Sequence, residues 1–209
     1  MHPSIKFCGM TSWADVDLAR TCGATHIGMI FAPSARRIAW DAAADIAGRL
    51  TGALVPVAVF VDPASSEVER VLEAFPQARL QFSGNEDPAA IARYGERAVK
   101  VIHVGAADDT RSLRERCNRY EGTTVMFDTG TTGMAGGSGN AFAWEVVKPI
   151  ARERTVWMAG GLRAENVSDC IAAVHPFGVD VRSGIETNGR KDVHKMRAFV
   201  MAVRDNDAT

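Results

Sequence analysis

Short apolar segments alternate along the chain with segments of helical character. Eight apolar segments have the length of a buried strand, at 5–8, 26–31, 55–61, 79–82, 99–104, 123–127, 155–159 and 178–181. Segments rich in alanine, arginine and glutamate with helical spacing follow at 14–22, 41–50, 65–74, 113–120, 141–151, 166–174 and 192–203. The pattern predicts parallel strands connected by crossover helices.

The number of units separates two architectures that share this alternation. Eight units in 209 residues leave about 26 residues for each, close to the minimum for a strand, its helix and two turns. We therefore predict a single (β/α)8 barrel, a TIM barrel, over residues 1–209. The alternative is an open doubly wound sheet, which more often has five or six strands and a GxGxxG turn. The first turn here, Cys8-Gly9-Met10-Thr11, lacks that motif and favours the barrel.

Charge and composition exclude several classes of function. The 24 basic and 25 acidic side chains are interspersed, so neither nucleic acid nor an anionic membrane is an expected partner. The apolar stretch 53–61 is far shorter than a membrane span and contains Pro56. The N-terminal residues do not resemble a secretory signal, which predicts a cytoplasmic protein. The cysteines and histidines have no metal-ligand spacing, so no metal is expected.

In a barrel of this kind, catalytic groups lie where the strands end. Cys8 ends the first predicted strand with Lys6 on the same face, and Asp128 follows the sixth. Alone, each has an ordinary explanation, as a buried thiol or a turn-forming aspartate. Together, a thiol and a carboxyl facing each other across one mouth indicate a base and an acid, provided that the sulfur reaches solvent.

Three glycine-rich turns follow the last three predicted strands. They are Gly137-Ser138-Gly139, Gly160-Gly161 and Ser183-Gly184. One such turn is usually a tight connection, but three on neighbouring loops favour a phosphate site built from backbone amides. Arg36 and Arg37 follow the second strand, where an arginine could bind a carboxylate through two hydrogen bonds or form part of a solvated surface pair.

Motifs along nearly the whole chain agree in order and spacing with one family of barrel enzymes. They lie at 6–11 (KFCGMT), 28–34 (GMIFAPS) with Arg37, 57–61, 80–86, 127–128, 136–139 (GGSG), 159–162, 166–167, 180–186 and 189–192. In these motifs the chain resembles phosphoribosylanthranilate isomerase, the barrel enzyme of tryptophan biosynthesis. The resemblance implies an Amadori rearrangement of N-(5-phosphoribosyl)anthranilate to 1-(2-carboxyphenylamino)-1-deoxyribulose 5-phosphate, a small phosphosugar reaction that needs no cofactor.

The resemblance also implies roles for individual residues. Asp128 would protonate the ring oxygen, and the Cys8 thiolate would remove the C2′ proton. A thiolate at neutral pH needs a nearby positive charge, for which Lys6 is the candidate. Arg37 would bind the anthranilate carboxylate and Asp180 a ribose hydroxyl. The phosphate would lie on amides of the glycine-rich turns, at Gly137, Ser138, Gly139, Gly161, Ser183 and Gly184.

The resemblance leads to one structural expectation, and the chain departs from the family pattern at two positions. Barrel closure sets strand eight beside strand one, so Lys6 should lie close to Asp180, because an unpartnered buried ammonium is costly. Ser83 stands where the family's fourth strand has histidine. Arg182 replaces a family serine and could meet the substrate phosphate or a local carboxylate.

Two other functions remain open at this stage. A related isomerase of the histidine pathway would resemble chains with an aspartate in place of Cys8. A non-catalytic phosphometabolite-binding barrel is compatible with the changes at Ser83 and Arg182. We also expect the stretch 129–140 to be mobile and to close over substrate. The sequence leaves open whether the protein is a monomer or a homodimer.

Overall fold

The structure is a computed structural model that describes residues 2–129 and 137–205, without the side chains of residues 137–143. Eight parallel strands form a closed barrel in chain order, and the last pairs with the first, which confirms the predicted (β/α)8 barrel. The strands are β1 (Ser4–Cys8), β2 (His26–Ile30), β3 (Val55–Phe60), β4 (Arg79–Phe82), β5 (Ala98–His103), β6 (Thr124–Asp128), β7 (Val156–Ala159) and β8 (Gly178–Val181).

Helices cover the barrel, and a small hairpin follows β8. The helices are α1 (Trp13–Cys22), α2 (Trp40–Arg49), α3 (Ser65–Ala74), α4 (Pro88–Ala92), α5 (Thr110–Asn118), α6 (Gly137–Ala151), α7 (Val167–Val174) and α8 (Val193–Arg204). Strands β9 (Glu186–Thr187) and β10 (Arg190–Lys191) form the antiparallel hairpin. In the part of the chain that the structure describes, no helix has both the length and the apolar character needed to cross a membrane.

Among the helices, α4 and α6 differ most from the sequence prediction. Helix α4 was not predicted, because five residues are too few to display a helical period. Helix α6 begins at Gly137 instead of residue 141, so the stretch 137–140 is helical and not a loop. Glycine is unfavourable inside a helix, but the first turn has no intrahelical amide bonds to weaken. The expected mobility of the 129–140 stretch otherwise falls on residues 130–136, which lie outside the described residues.

The alternation of side chains along each strand divides the core in two. One set of apolar side chains fills the barrel interior, among them Val99, Val101, Met126 and Trp157, and a larger set packs between the strands and the helices. Several polar side chains are buried as well, including Lys6, His26, Gln81 and Asp180. Burying a polar group is costly unless it is paired, so the partners of Lys6 and Asp180 are of particular interest.

Candidate active site at the carboxyl ends of the strands

A buried ion pair joins the first strand to the last. Lys6 and Asp180 are register partners on β1 and β8, and Lys6 Nζ donates to Asp180 Oδ1 at 2.8 Å. The expected proximity is therefore confirmed. Only 1% of the Lys6 side chain is exposed. Burial opposes the charge on this ammonium, but Asp180 and Cys8 outweigh it and raise the pKa of Lys6.

Gly28 makes room for the two functional groups of β1. It is the register partner of Cys8 on β2. A Cβ atom built on Gly28 would lie 2.9 Å from both Cys8 Sγ and Lys6 Nζ, closer than real Cβ contacts allow. The sequence analysis gave Gly28 no role, although an isolated glycine inside a strand is a signal for such a close approach.

The Cys8 thiol is largely covered in this structure. The residue is only 6% exposed, whereas the sequence analysis expected a sulfur that reaches solvent. Burial raises the pKa of Cys8, with a further contribution from Asp180, and the opposing charges of Lys6 and Lys191 do not overcome it. The expectation of an exposed sulfur is thus wrong, and burial outweighs the effect of the neighbouring ammonium groups on the pKa of the thiol.

The β9–β10 hairpin fixes the end of β1. Lys191 Nζ donates to the Cys8 carbonyl at 2.6 Å and to Glu186 Oε1 at 2.8 Å. Glu186 also accepts two hydrogen bonds from Arg36, at 2.9 and 3.3 Å. Sequence analysis found the motif that contains Lys191 but no role for it. The tertiary contact shows that this lysine holds the backbone of the cysteine, 183 residues away.

The two arginines after β2 have different surroundings. Arg36 is tied to Glu186, so it is not a solvated surface residue. Arg37 is exposed, and its backbone forms a β-bridge with Ile30 at the end of β2. Within residues 2–129 and 144–205, Arg37 has no ion pair. Of these two arginines, Arg37 is therefore the one whose guanidinium is available for a ligand.

Asp128 ends β6 and has a histidine beside it. His103, its register partner on β5, places Nδ1 3.8 Å from Asp128 Oδ2. The other ring nitrogen, Nε2, lies 3.1 Å from the Ser83 carbonyl oxygen, at the end of β4. Sequence analysis considered the histidines only as metal ligands and missed this contact. The signal was present, because His103 lies near the end of a predicted strand, as Cys8 and Asp128 do.

The turns after β7 and β8 lie against each other. Gly160 and Gly161 have φ angles of +88° and +65°, in the left-handed region that favours glycine. A Cβ on Gly184 would collide with the Leu162 carbonyl oxygen, so the close approach of the two loops requires glycine. A cavity of about 420 Å³ opens here, and its lining includes Gly161, Arg163, Ser183, Gly184 and Lys195.

The remaining predicted site residues lie elsewhere at the mouth. Gly137, Ser138 and Gly139 form the first turn of α6, where backbone amides have no intrahelical partner. Arg182 lies one residue beyond β8 and is exposed. Its methylene groups approach the β1 end, since a Cβ on Gly9 would lie 3.4 Å from Arg182 Cγ. The described residues contain no group of three or more His, Cys, Asp or Glu side chains that could hold a metal ion.

Comparison with known proteins identifies the family. The family model for N-(5′-phosphoribosyl)anthranilate (PRA) isomerase matches residues 5–202. The N-(5′-phosphoribosyl)anthranilate isomerase of Desulforudis audaxviator is 40% identical over 204 residues, which cover 96% of this chain and 98% of the relative. The crystal structure of phosphoribosyl anthranilate isomerase from Thermotoga maritima is similar with a TM-score of 0.84 and 30% identity, covering 97% of this chain and 99% of that one.

A second similar solved structure contains a bound small molecule. It is a phosphoribosyl anthranilate isomerase in complex with reduced 1-(o-carboxyphenylamino)-1-deoxyribulose 5-phosphate. Its TM-score is 0.82 at 27% identity, and the match covers 97% of this chain and 99% of that chain. The strand order, the residues at the strand ends and these matches agree, and the chain belongs to the N-(5′-phosphoribosyl)anthranilate isomerase family.

Proposed function

We propose that this chain catalyses the Amadori rearrangement of N-(5′-phosphoribosyl)anthranilate to 1-(2-carboxyphenylamino)-1-deoxyribulose 5-phosphate, with Cys8 as base and Asp128 as acid. One observation carries the proposal: in a chain of this family, β1 and β6 end at one mouth in a thiol and a carboxyl group. Three interstrand steps of about 4.8 Å separate β6 from β1 along the barrel wall. A substrate with a pentose between two larger groups suits that span.

The proposed reaction needs a proton donor and a proton acceptor at the mouth of the barrel. Asp128 donates a proton to the furanose ring oxygen, the C1′–O bond breaks, and the nitrogen lone pair forms an iminium ion. The iminium acidifies the C2′–H bond, and the Cys8 thiolate removes that proton to give an enolamine. The Cys8 thiol then returns its proton to C1′ while the proton on the C2′ oxygen leaves to water, which gives the aminoketose. Apart from the opening of the ring, each step is a proton transfer, so side chains at the mouth can supply the chemistry.

The covered thiol requires an explanation in this mechanism. Burial raises the pKa of Cys8, which disfavours the thiolate at neutral pH. Lys6 and Lys191 both lower the pKa of the thiol, but burial and Asp180 offset them. A substrate hydroxyl that binds Asp180, as the family resemblance implies, would shield that carboxylate from the sulfur. We therefore expect the thiolate to become more favourable once substrate is bound.

The substrate's two anionic ends have separate binding positions in this proposal. Arg37 binds the anthranilate carboxylate, because its guanidinium is exposed while Arg36 is held by Glu186. The phosphate binds in the cavity after β7 and β8, where Lys195 adds positive charge to the backbone amides. The first turn of α6 would complete this phosphate site. Arg182 stays a candidate for the phosphate or for a carboxylate near Gly9.

The wider predictions from sequence complete the proposal. We propose that residues 1–209 act as one catalytic domain in the cytoplasm, on a small phosphosugar. The reaction as written needs no cofactor. A monomer and a homodimer are both compatible with it, because every residue named above belongs to one chain.

The test is conversion of the substrate by the purified chain, followed by chromatographic separation of substrate and product. We expect turnover by the wild type and a loss of about 100-fold or more with Cys8→Ser and with Asp128→Asn. Cys22→Ser, which changes a buried thiol on α1, is the matched control and should retain activity. A folded wild-type chain that binds the substrate without converting it would instead support the non-catalytic barrel.

A further inference from the structure

The proposed reaction leaves the acid in the wrong protonation state after every turnover. The proton that Asp128 gives to the ring oxygen remains in the product, on the C4′ hydroxyl. The proton that Cys8 takes from C2′ returns to the substrate at C1′, and the proton of the C2′ hydroxyl leaves to water. Asp128 must therefore receive a new proton before the next substrate reacts. Building on the proposed function, we propose that His103 delivers this proton from solvent to Asp128.

The barrel register places the imidazole beside the carboxyl group. His103 and Asp128 are paired last residues of neighbouring parallel strands, so their side chains point to the same face. The 3.8 Å between Nδ1 and Oδ2 is longer than a hydrogen bond. A small side-chain rotation or one bridging water molecule closes that gap. The ring is thus within reach of the carboxylate and does not need to touch the substrate.

The second contact of the ring decides which nitrogen carries the proton. The Ser83 carbonyl oxygen can only accept a hydrogen bond, so Nε2, 3.1 Å away, is assigned as the N–H donor. In the neutral ring, Nδ1 then has a free lone pair that faces Asp128. Nδ1 can take up a proton and pass it to Oδ2 while the bond to Ser83 stays in place.

The surroundings of His103 suit repeated protonation. Its side chain is 44% exposed, so water has access to the ring. Asp128 from β6 is the charged group that faces the ring. Arg116 from α5 donates to the His103 carbonyl, and Asp108 in turn pairs with Arg116 at 3.1 Å.

Two substitutions separate proton delivery from simple positioning. His103→Ala removes the ring. His103→Gln keeps an amide nitrogen at the position of Nε2 that can bond to Ser83, but it cannot carry a proton. At low buffer concentration we expect both variants to lose about tenfold in kcat, with KM within about twofold of wild type. Imidazole added to the assay should restore most of the lost kcat to His103→Ala and leave the wild type unchanged.

His194→Ala is the matched control, because His194 is an exposed histidine on α8. It should leave kcat unchanged. The proposal is overturned if His103→Ala keeps kcat within twofold of wild type, if His103→Gln restores full activity, or if imidazole rescues neither variant. A wild-type chain that fails to convert substrate would instead overturn the proposed function, so the two failures are distinguishable.

Discussion

Removal of the Asp180 carboxylate tests the buried pair that joins β8 to β1. In Asp180→Ala, the Lys6 ammonium loses the acceptor at 2.8 Å while its side chain, 1% exposed, remains in the barrel. Breaking a buried pair by removing one partner costs about 3–5 kcal/mol, because the remaining charge is not solvated. For a chain of this length each kcal/mol lowers Tm by about 2–4 °C. We therefore expect Tm to fall by roughly 6–20 °C.

A double variant separates the charge from the packing. Lys6→Met with Asp180→Leu replaces both charges by apolar groups of similar volume, which is often neutral or stabilising. We expect the double variant to recover most of the free energy of unfolding, measured by urea denaturation, while activity stays lost. Because the folded-state pKa of Lys6 is raised, its stabilisation is complete below the unfolded-state pKa of about 10.4. This stabilisation is lost only as the pH rises through the pKa of Lys6 in the folded chain.

Two outcomes would contradict a destabilising effect of the unpaired Lys6 charge. A loss below about 1 kcal/mol in Asp180→Ala at neutral pH would mean that Lys6 finds other solvation, from water or from the Cys8 thiolate. A double variant no more stable than Asp180→Ala would mean that shape, and not an unpaired charge, causes the loss.

Three further predictions follow from residues around the barrel interior. Gly28→Ala places a methyl group 2.9 Å from Cys8 Sγ and Lys6 Nζ, and we expect kcat/KM to fall about 100-fold in a steady-state assay, because these groups must shift. His26 has its pKa lowered to about 4 by burial and nearby cations, so the unfolded chain binds more protons between pH 6.5 and 4. The contribution of His26 to the free energy of unfolding should fall by about 2–3 kcal/mol between pH 7.5 and 4.5 in urea titrations. The His26→Phe variant should lose that part of the pH dependence. Because the pKa of Cys8 is raised, iodoacetamide labelling of the free chain, followed by mass spectrometry, should still accelerate above pH 8.5.

Each of these predictions has a control or an outcome that contradicts it. Gly48→Ala, in α2 with nothing within 4 Å of the new methyl group, should be harmless. Normal activity in Gly28→Ala would show that the strand end can adapt. Equal pH dependence in the wild type and His26→Phe would mean that the buried imidazole is protonated in the folded chain. A labelling rate that levels off below pH 8 would show that Cys8 is already a thiolate.

The sequence determined the architecture and the positions of the strand ends. Strand and helix periods are set by local backbone geometry, so they can be recognised before any tertiary contact is known. Counting eight units predicted the barrel, and alternation placed Lys6 and Cys8 on one inward face. Barrel closure then predicted the contact with Asp180. Helix α4 and the start of α6 were missed because five residues, or four glycine-rich ones, carry no clear period.

The tertiary structure alone decided the environment of each group. Lys191 reaches the Cys8 carbonyl and Glu186 holds Arg36, and neither contact leaves a mark in the local pattern. Burial of Cys8 raises its pKa against two ammonium groups, and the register of β5 with β6 brings His103 to Asp128. Solvation and charge depend on everything packed around an atom, and the chain supplies those neighbours from distant positions only after the barrel has closed.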